Sequence, residues 1–426
     1  MVDLKREELH GSVTDPVAAA MNFLNEIAGR YPDAITLAAG RPYEGFFHLE
    51  DVHRWLDRYA RHVSRAGGDP RRAVMQYGRT NGIIHELITE MLARDEDIRV
   101  PAEAVAVTTG CQEAMVVTLR GLFRPGDVLL AASPCYVGIT GAARLLDIPV
   151  VPVPESASGL EPATVGSVAA QVRASGRRPR ALYLVPDFAN PSGAQLPLAD
   201  RHRLLAAAAQ ADLLILEDNP YGLFGLTDAA LPTLKALDRE RRVVYLGSFA
   251  KSGFPGARIG FLVADQRVVA ADRPPALLAE ELSTVKSMLT LNTSPVTQAV
   301  VGGLLLECGC SLRAANREKI EFYRTNLTGL LDALDRYLPA GLGVRWNVPA
   351  GGFFAVLTVP AHGPAADVDL LETSARDYGV LWTPMGFFYP DGGGSRALRV
   401  SCSALCPADL DEGVRRLAKL LGDVLP

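Results

Sequence analysis

Between residues 105 and 265 the chain alternates short apolar runs with longer amphipathic ones, and this alternation limits the fold more than any other feature. "VAVTTG" (105–110), "DVLLAASP" (127–134), "PRALYLVPDFANPSG" (179–193), "LLILEDNPYG" (213–222) and "RVVYLGSFAK" (242–251) read as strands running into turns. "CQEAMVVTLRGLF", "GITGAARLLD" and "LADRHRLLAAAAQAD" read as the helices between them, and "ARIGFLVAD" (257–265) completes the set. Strands without an exposed polar face, separated by helices, predict βα units around a mainly parallel sheet covered on both sides. After about residue 300 the texture changes. A helical stretch over roughly 297–340 leads to "GVRWNVPAGGFFAVLTV", then to "RALRVSCSAL" and a C-terminal helix. This predicts a second, smaller α/β unit, as expected for 426 residues, a length that outgrows a single core.

Composition excludes several classes. The net charge of -5 leaves no basic footprint for nucleic acid. No run approaches the roughly 18–20 apolar residues that span a membrane, and the charged first residues do not read as a signal peptide. Six cysteines without CxxC or zinc-ligand spacing, in a chain that is 48% hydrophobic and 21% charged, read as reduced thiols of a soluble cytoplasmic protein with no metal site.

Several polar residues fall just past predicted strand ends: Gly110, Cys111, Gln112, Tyr136, Asn190, Asp218 and Lys251. That edge is where open α/β sheets bind ligands. Taken singly, Lys251 reads as a solvated loop lysine and Asp218 as a turn cap. Together they describe a chemistry. A lysine amine can form a Schiff base with an aldehyde once its pKa is lowered, and partial burial and a cation such as Arg258 both push that way. Asp218 follows the apolar run "LLILE", so its buried carboxylate needs a cationic partner, which a protonated pyridine nitrogen would supply. Gly110-Cys111-Gln112 opens a helix, a natural anion site, and Ser248 and Arg258 add a hydroxyl and a guanidinium. Aldehyde, pyridine nitrogen and phosphate are the three parts of pyridoxal phosphate.

The motifs "AAGRP", "QYGRTNG", "TTGCQEA", "SPCY", "DFANPSG", "EDNPYG", "SFAKSGFPGARIGF" and "LRVSCS" stand in an order that resembles the class I/II aminotransferases, pyridoxal-phosphate enzymes of fold type I. The resemblance runs from about residue 15 to 422. It implies a large domain (51–300) with a mainly parallel seven-stranded sheet, and a C-terminal small domain (301–426). An N-terminal arm and substrate-covering loop (1–50) joins the latter. It implies that Lys251 anchors the cofactor covalently and carries protons, that Asp218 pairs with the ring nitrogen, and that Asn190 and Tyr221 bond its phenolic oxygen. Tyr136 would stack on the ring, and Gly110, Cys111, Gln112, Ser248 and Arg258 would hold the phosphate. Tyr77 would reach the phosphate of a neighbouring subunit, implying a homodimer with shared sites. Arg399 and Asn190 would bind the substrate carboxylate, with Gly40 and Arg41 in the covering loop. The implied activity moves an amino group between an α-amino acid and a 2-oxo acid by a ping-pong route.

The same fold hosts β-lyases, decarboxylases and oxygen-using enzymes, and a cofactor-sensing regulatory domain is a weaker alternative. The sequence departs from the family pattern at Phe249 and Ala250, where relatives carry a phosphate-binding serine, and at Asp187, Ala189 and Met385. "MNFLNEIAGRYPDAITLAAGRPYEGFF" is similar to aminotransferases of secondary metabolism. The side-chain pocket is expected among Arg41, Tyr43, Phe46, Phe47, Asp187, Phe387, Phe388 and Tyr389. The aromatics favour a flat substrate, whereas Asp187 favours a basic or hydroxylated one.

Overall fold

A strand buried on both faces must be apolar at nearly every position, and the central strands obey this. The computed structural model describes residues 2–14, 23, 26–156 and 159–425; Met21, Asn22, Leu24 and Asn25 of the segment quoted last above lie outside them. A short strand, β1 (Ile35–Thr36), precedes the main sheet. The main sheet contains β2 (Val105–Thr108), β3 (Asp127–Ser133), β4 (Val150–Ser156), β5 (Gly159–Leu160), β6 (Arg178–Leu184), β7 (Leu214–Asp218), β8 (Val243–Ser248) and β9 (Gly260–Val263). Its spatial order is β2-β9-β8-β7-β6-β3-β4-β5. All seven residues of β3 are buried. Val128, Leu130 and Ala132 enter one apolar cluster and Leu129 and Ala131 the other, as the two-residue period of a strand requires.

The sheet has eight strands where the resemblance implies seven. The extra one is the two-residue β5, which folds back antiparallel on β4 through Glu155–Leu160 and Ser156–Gly159, with Gly159 at φ 93°. Two residues carry no periodicity, so sequence cannot announce such a strand.

Helices α1 (Gly110–Leu122), α2 (Val137–Leu145), α3 (Pro162–Ala174), α4 (Leu198–Gln210), the single turn α5 (Phe249–Ser252) and α6 (Leu278–Thr290) follow or cover these strands. α3 and α4 pack on one face through Val165, Ala169, Leu204 and Ala208, while α1, α2 and α6 pack on the other. A hairpin of β10 (Arg267–Val268) and β11 (Ala276–Leu277) precedes α6.

The helical stretch expected over 297–340 is interrupted. Pro295–Glu307 and Leu312–Ala315 precede α7 (Arg317–Tyr337), and the chain turns where Gly309 and Cys310 adopt φ of 59° and 55°. α7 buries Ile320 and Tyr323 in the core of the main sheet and Leu327, Leu330 and Leu334 in a second cluster. That cluster packs a smaller antiparallel sheet of β12 (Arg345–Trp346), β13 (Phe354–Thr358), β15 (Thr383–Pro384) and β16 (Ala397–Ser401), in the order β12-β13-β16-β15. The remaining strand, β14 (Val380–Leu381), pairs in parallel with β1 and so ties the N-terminal segment to this layer. The last helix, α8 (Pro407–Val424), seals it with Leu410, Val414, Leu417 and Leu421, one apolar stripe at helical spacing.

Candidate active site

Strands β3, β6, β7 and β8 run parallel, so Tyr136, Asn190, Asp218 and Lys251 emerge at one edge. β2 and β8 each pair antiparallel with β9, which brings Gly110–Gln112 to the same edge. Facing them across a cavity of about 410 Å³ are Ala38–Arg41 and Arg399. Cys111, Gln112, Tyr136, Asn190, Asp218, Tyr221, Ser248, Lys251, Arg258, Gly40, Arg41 and Arg399 all line it. Gly110 stands directly behind this wall, against Arg258. Tyr77 does not approach the cavity and is 79% exposed.

The Lys251 ammonium donates to the Gly40 carbonyl at 2.8 Å and stands 6.0 Å from the Tyr221 ring. Burial, and then the guanidinium groups of Arg399 and Arg258, push its pKa down to about 8. Asp218 is 4% exposed and accepts from Tyr183 Oη at 2.7 Å and from Cys111 Sγ at 3.5 Å. Burial raises its pKa to about 6, against the lowering effect of those donors and of Lys251. Tyr183 was not foreseen. It lies inside an apolar strand, and only the register Tyr183–Leu216 sets its hydroxyl beside Asp218.

Arg399, in β16, lies opposite Thr383 and Val356. Its guanidinium donates to Asn190 Oδ1, to the Ala38 carbonyl at 2.7 Å and to Thr383 Oγ1 at 3.2 Å. It sits 4.2 Å from the Phe354 ring and 5.0 Å from the Phe388 ring. Its Nε is buried without a partner, and burial lowers its pKa to about 10. A buried cation with a donor left over calls for an anionic ligand.

The opposite end of the cavity is shaped by glycine. Gly110 takes φ 73° at the start of α1, and a Cβ there would run into the Arg258 guanidinium. At Gly260 a Cβ would come within 2.6 Å of the Cys111 backbone nitrogen. Backbone N–H groups at a helix start beside a guanidinium fit a phosphate. Tyr136 is held by Gly138, where a Cβ would collide with its ring, while Gln112 donates to the Gly138 carbonyl at 2.8 Å. Phe249 turns away into the core against Phe261, so only Ala250, which lines the cavity, forgoes a hydroxyl. The Ser248 hydroxyl accepts from Ala250 N at 3.1 Å and steadies the turn that presents Lys251. The residues present therefore fit a group with one anionic end and one basic ring nitrogen.

The expected side-chain pocket needs correction. Asp187 does not face the cavity: its carboxylate pairs with Arg201, both side chains being buried, and accepts from Gln195. Tyr43 and Phe46 pack on Phe322, Phe47 lies under Lys319, and Phe387 packs on Phe23. None of these, nor Tyr389, lines the cavity; Arg41 and Phe388 do, with Ala28, Thr36, Met115, Val137 and Val185. Arg41 is exposed at the mouth and pairs with Glu44 at 3.4 Å.

Residues 33–417 match the model of the family "Aminotransferase class I and II", and the chain belongs to that family and is an aminotransferase. It is 49% identical over 423 residues to an (S)-3,5-dihydroxyphenylglycine transaminase of Amycolatopsis orientalis, covering 98% of this chain and 94% of that one. Its structure is similar to that of an α-aminoadipate aminotransferase from Thermus thermophilus complexed with N-(5′-phosphopyridoxyl)-L-leucine (TM-score 0.80, 30% identity, 98% of each chain). It is also similar to a kynurenine aminotransferase of Pyrococcus horikoshii in complex with PMP (TM-score 0.84, 25% identity, 99% of this chain and 98% of that one).

Proposed function

We propose that this aminotransferase moves the amino group between an aryl-substituted α-amino acid of the arylglycine type and a 2-oxo acid, in cytoplasmic secondary metabolism. The observation that carries the reading is the convergence of Lys251, Asp218 and Arg399 on one cavity whose remaining wall is largely apolar. The 49% identity to a dihydroxyphenylglycine transaminase supports the substrate class. The basic-substrate alternative loses its support, because Asp187 is committed to Arg201.

The cofactor is pyridoxal 5′-phosphate, which supplies an electron sink for the charge left when the substrate Cα–H bond breaks. Lys251 would hold it covalently and, with an amine near pKa 8, exchange a proton with the substrate Cα close to neutral pH. Asp218 would keep the ring nitrogen protonated, its carboxylate oriented by Tyr183 and Cys111. Arg258 and the first N–H groups of α1 would hold the phosphate. Asn190 and Tyr221 would bond the phenolic oxygen, and Tyr136 would cover the ring face. Arg399 would bind the substrate α-carboxylate, its fork fixed by Asn190, Ala38 and Thr383.

We assign the active unit as a homodimer in which Tyr77 completes the partner's phosphate site. Tyr77 and Met75 stand exposed in one segment, as do Met288, Leu289 and Leu291 in another. The two segments adjoin, since a Cβ on Gly78 would lie 3.7 Å from both Asn292 and Pro295. Such an apolar patch marks an interface. We also divide the chain into a large domain (51–300) and a small domain made from 301–426 and the N-terminal arm. Six free cysteines, and no helix among the described residues long and apolar enough to cross a membrane, support the cytoplasmic placement.

The test is to incubate the enzyme and cofactor with arylglycines, basic and dicarboxylic amino acids, and to assay 2-oxo acid, ammonia and hydrogen peroxide. Formation of 2-oxo acid coupled to amination of an acceptor, fastest with an arylglycine, supports the reading. A specific preference for basic or dicarboxylic substrates overturns it.

A further inference from the structure

One residue lining the cavity holds a hydroxyl with no partner. Thr36 closes β1, and strand side chains alternate between faces. Leu37 enters the apolar cluster of the smaller sheet and Thr36 lines the cavity, while Ala38 belongs to that cluster and also reaches the cavity wall. Thr36 Oγ1 is closed off from solvent, the open cavity included, so it is turned away from that space, and it makes no hydrogen bond. A hydroxyl removed from water without a partner bears its full desolvation penalty. Valine would fill nearly the same space without that penalty, so threonine here has a chemical use.

The surroundings narrow that use. Ala28, Ala39, Val137 and Phe388 give an apolar wall suited to a ring. The charged groups nearby are committed: Arg399 to Asn190, Ala38 and Thr383, and Asp218 to Tyr183 and Cys111. Thr36 is a lining residue whose hydroxyl is uncommitted and can read a neutral polar substituent. A threonine in a strand commonly takes either of two χ1 wells, so one rotamer step suffices to turn Oγ1 toward a ligand.

We propose that Thr36 is a specificity-determining residue whose hydroxyl hydrogen-bonds a ring hydroxyl of the substrate, selecting hydroxylated over plain arylglycines. The inference rests on the arylglycine reading and adds the group that reads the ring. A pocket built to pair a substrate hydroxyl discriminates against the analogue lacking it.

The experiment measures kcat/KM of the holoenzyme for phenylglycine, 4-hydroxyphenylglycine and 3,5-dihydroxyphenylglycine in wild type, Thr36→Val and Thr36→Ser. With Thr36→Val, at least one hydroxylated substrate should lose about 5- to 10-fold, the worth of one neutral hydrogen bond, while phenylglycine stays within about twofold. Thr36→Ser, which keeps the hydroxyl, should restore the preference. An equal loss on all three substrates, or no loss on any, overturns the inference and leaves the arylglycine reading standing. Failure of the wild-type enzyme to turn over any of the three overturns that reading, and this inference with it.

Discussion

Replacing Asp187 by asparagine separates a structural carboxylate from a substrate-binding one. Asp187 accepts from Arg201 and, at 2.9 Å, from Gln195, while Arg201 also donates to the carbonyls of Leu196 at 3.0 Å and Pro232 at 2.9 Å. The two side chains are 5% and 0% exposed. Asparagine keeps the shape but removes the charge, leaving a buried guanidinium uncompensated. Breaking a buried pair from one side costs about 3–5 kcal/mol, and the retained amide contact puts this case near about 3. An unfolding entropy of roughly 2.1 cal/mol/K per residue, taken over the whole chain, makes that a fall in Tm of about 3 °C for cooperative unfolding. Calorimetry of the holoenzyme reads it directly. The kcat/KM values for aryl, guanidino and dicarboxylic amino acids should fall by one common factor or not at all. The double variant Asp187→Leu with Arg201→Met should recover much of the loss, because apolar residues of similar volume remove both charges together. An unchanged Tm with a loss confined to guanidino substrates would refute the reasoning and return Asp187 to the substrate pocket.

Four further outcomes are expected. Lys251→Ala should fold and retain cofactor while turnover falls by at least about 10³-fold, in the range of a lost general acid–base group and covalent anchor; normal transamination by this variant would end the assignment. Tyr183→Phe removes a donor that lowers the Asp218 pKa, so that pKa should rise and the acid limb of kcat/KM should move to higher pH; an unmoved profile would show that Asp218 does not depend on Tyr183. In the cofactor-free protein, Asp218 has a folded pKa of about 6 against an ordinary 3.8, so the folded form holds the extra proton between the two. Its contribution to stability is present below about 3.8 and lost as pH rises through 6, and Asp218→Asn should flatten that slope in denaturant titrations. Tyr77→Phe should weaken cofactor retention and leave the dimer intact, whereas a fully active monomer in sedimentation would contradict the shared site.

Strands β2, β3 and β6 to β9 of the main sheet were legible because burial on both faces turns each into an apolar run, whereas β4, in which only Val153 is buried, was not; the site was legible because its polar groups follow those runs. Gln112, Asn190 and Asp218 stand out against neighbours such as Leu182 and Ile215. Legibility stops where an element has no period or a contact has no local signal. β5 is two residues long, and the break after Glu307 depends on the positive φ of Gly309 and Cys310, between segments that each read as helix. Tyr183 looks like one more core aromatic until strand register sets it beside Asp218. Asp187 shows the same limit in reverse. It lies three residues before Asn190 in one motif, yet Asn190 meets Arg399 in the cavity while Asp187 meets Arg201, which α4 brings back from 14 positions later. Order along the chain places a residue at the sheet edge; the direction it faces is decided by helices packed from elsewhere. A side chain near a family motif is therefore weaker evidence for substrate contact than a cavity-lining residue with an uncommitted polar atom, which is why Thr36 rather than Asp187 is proposed as the group that reads the substrate ring.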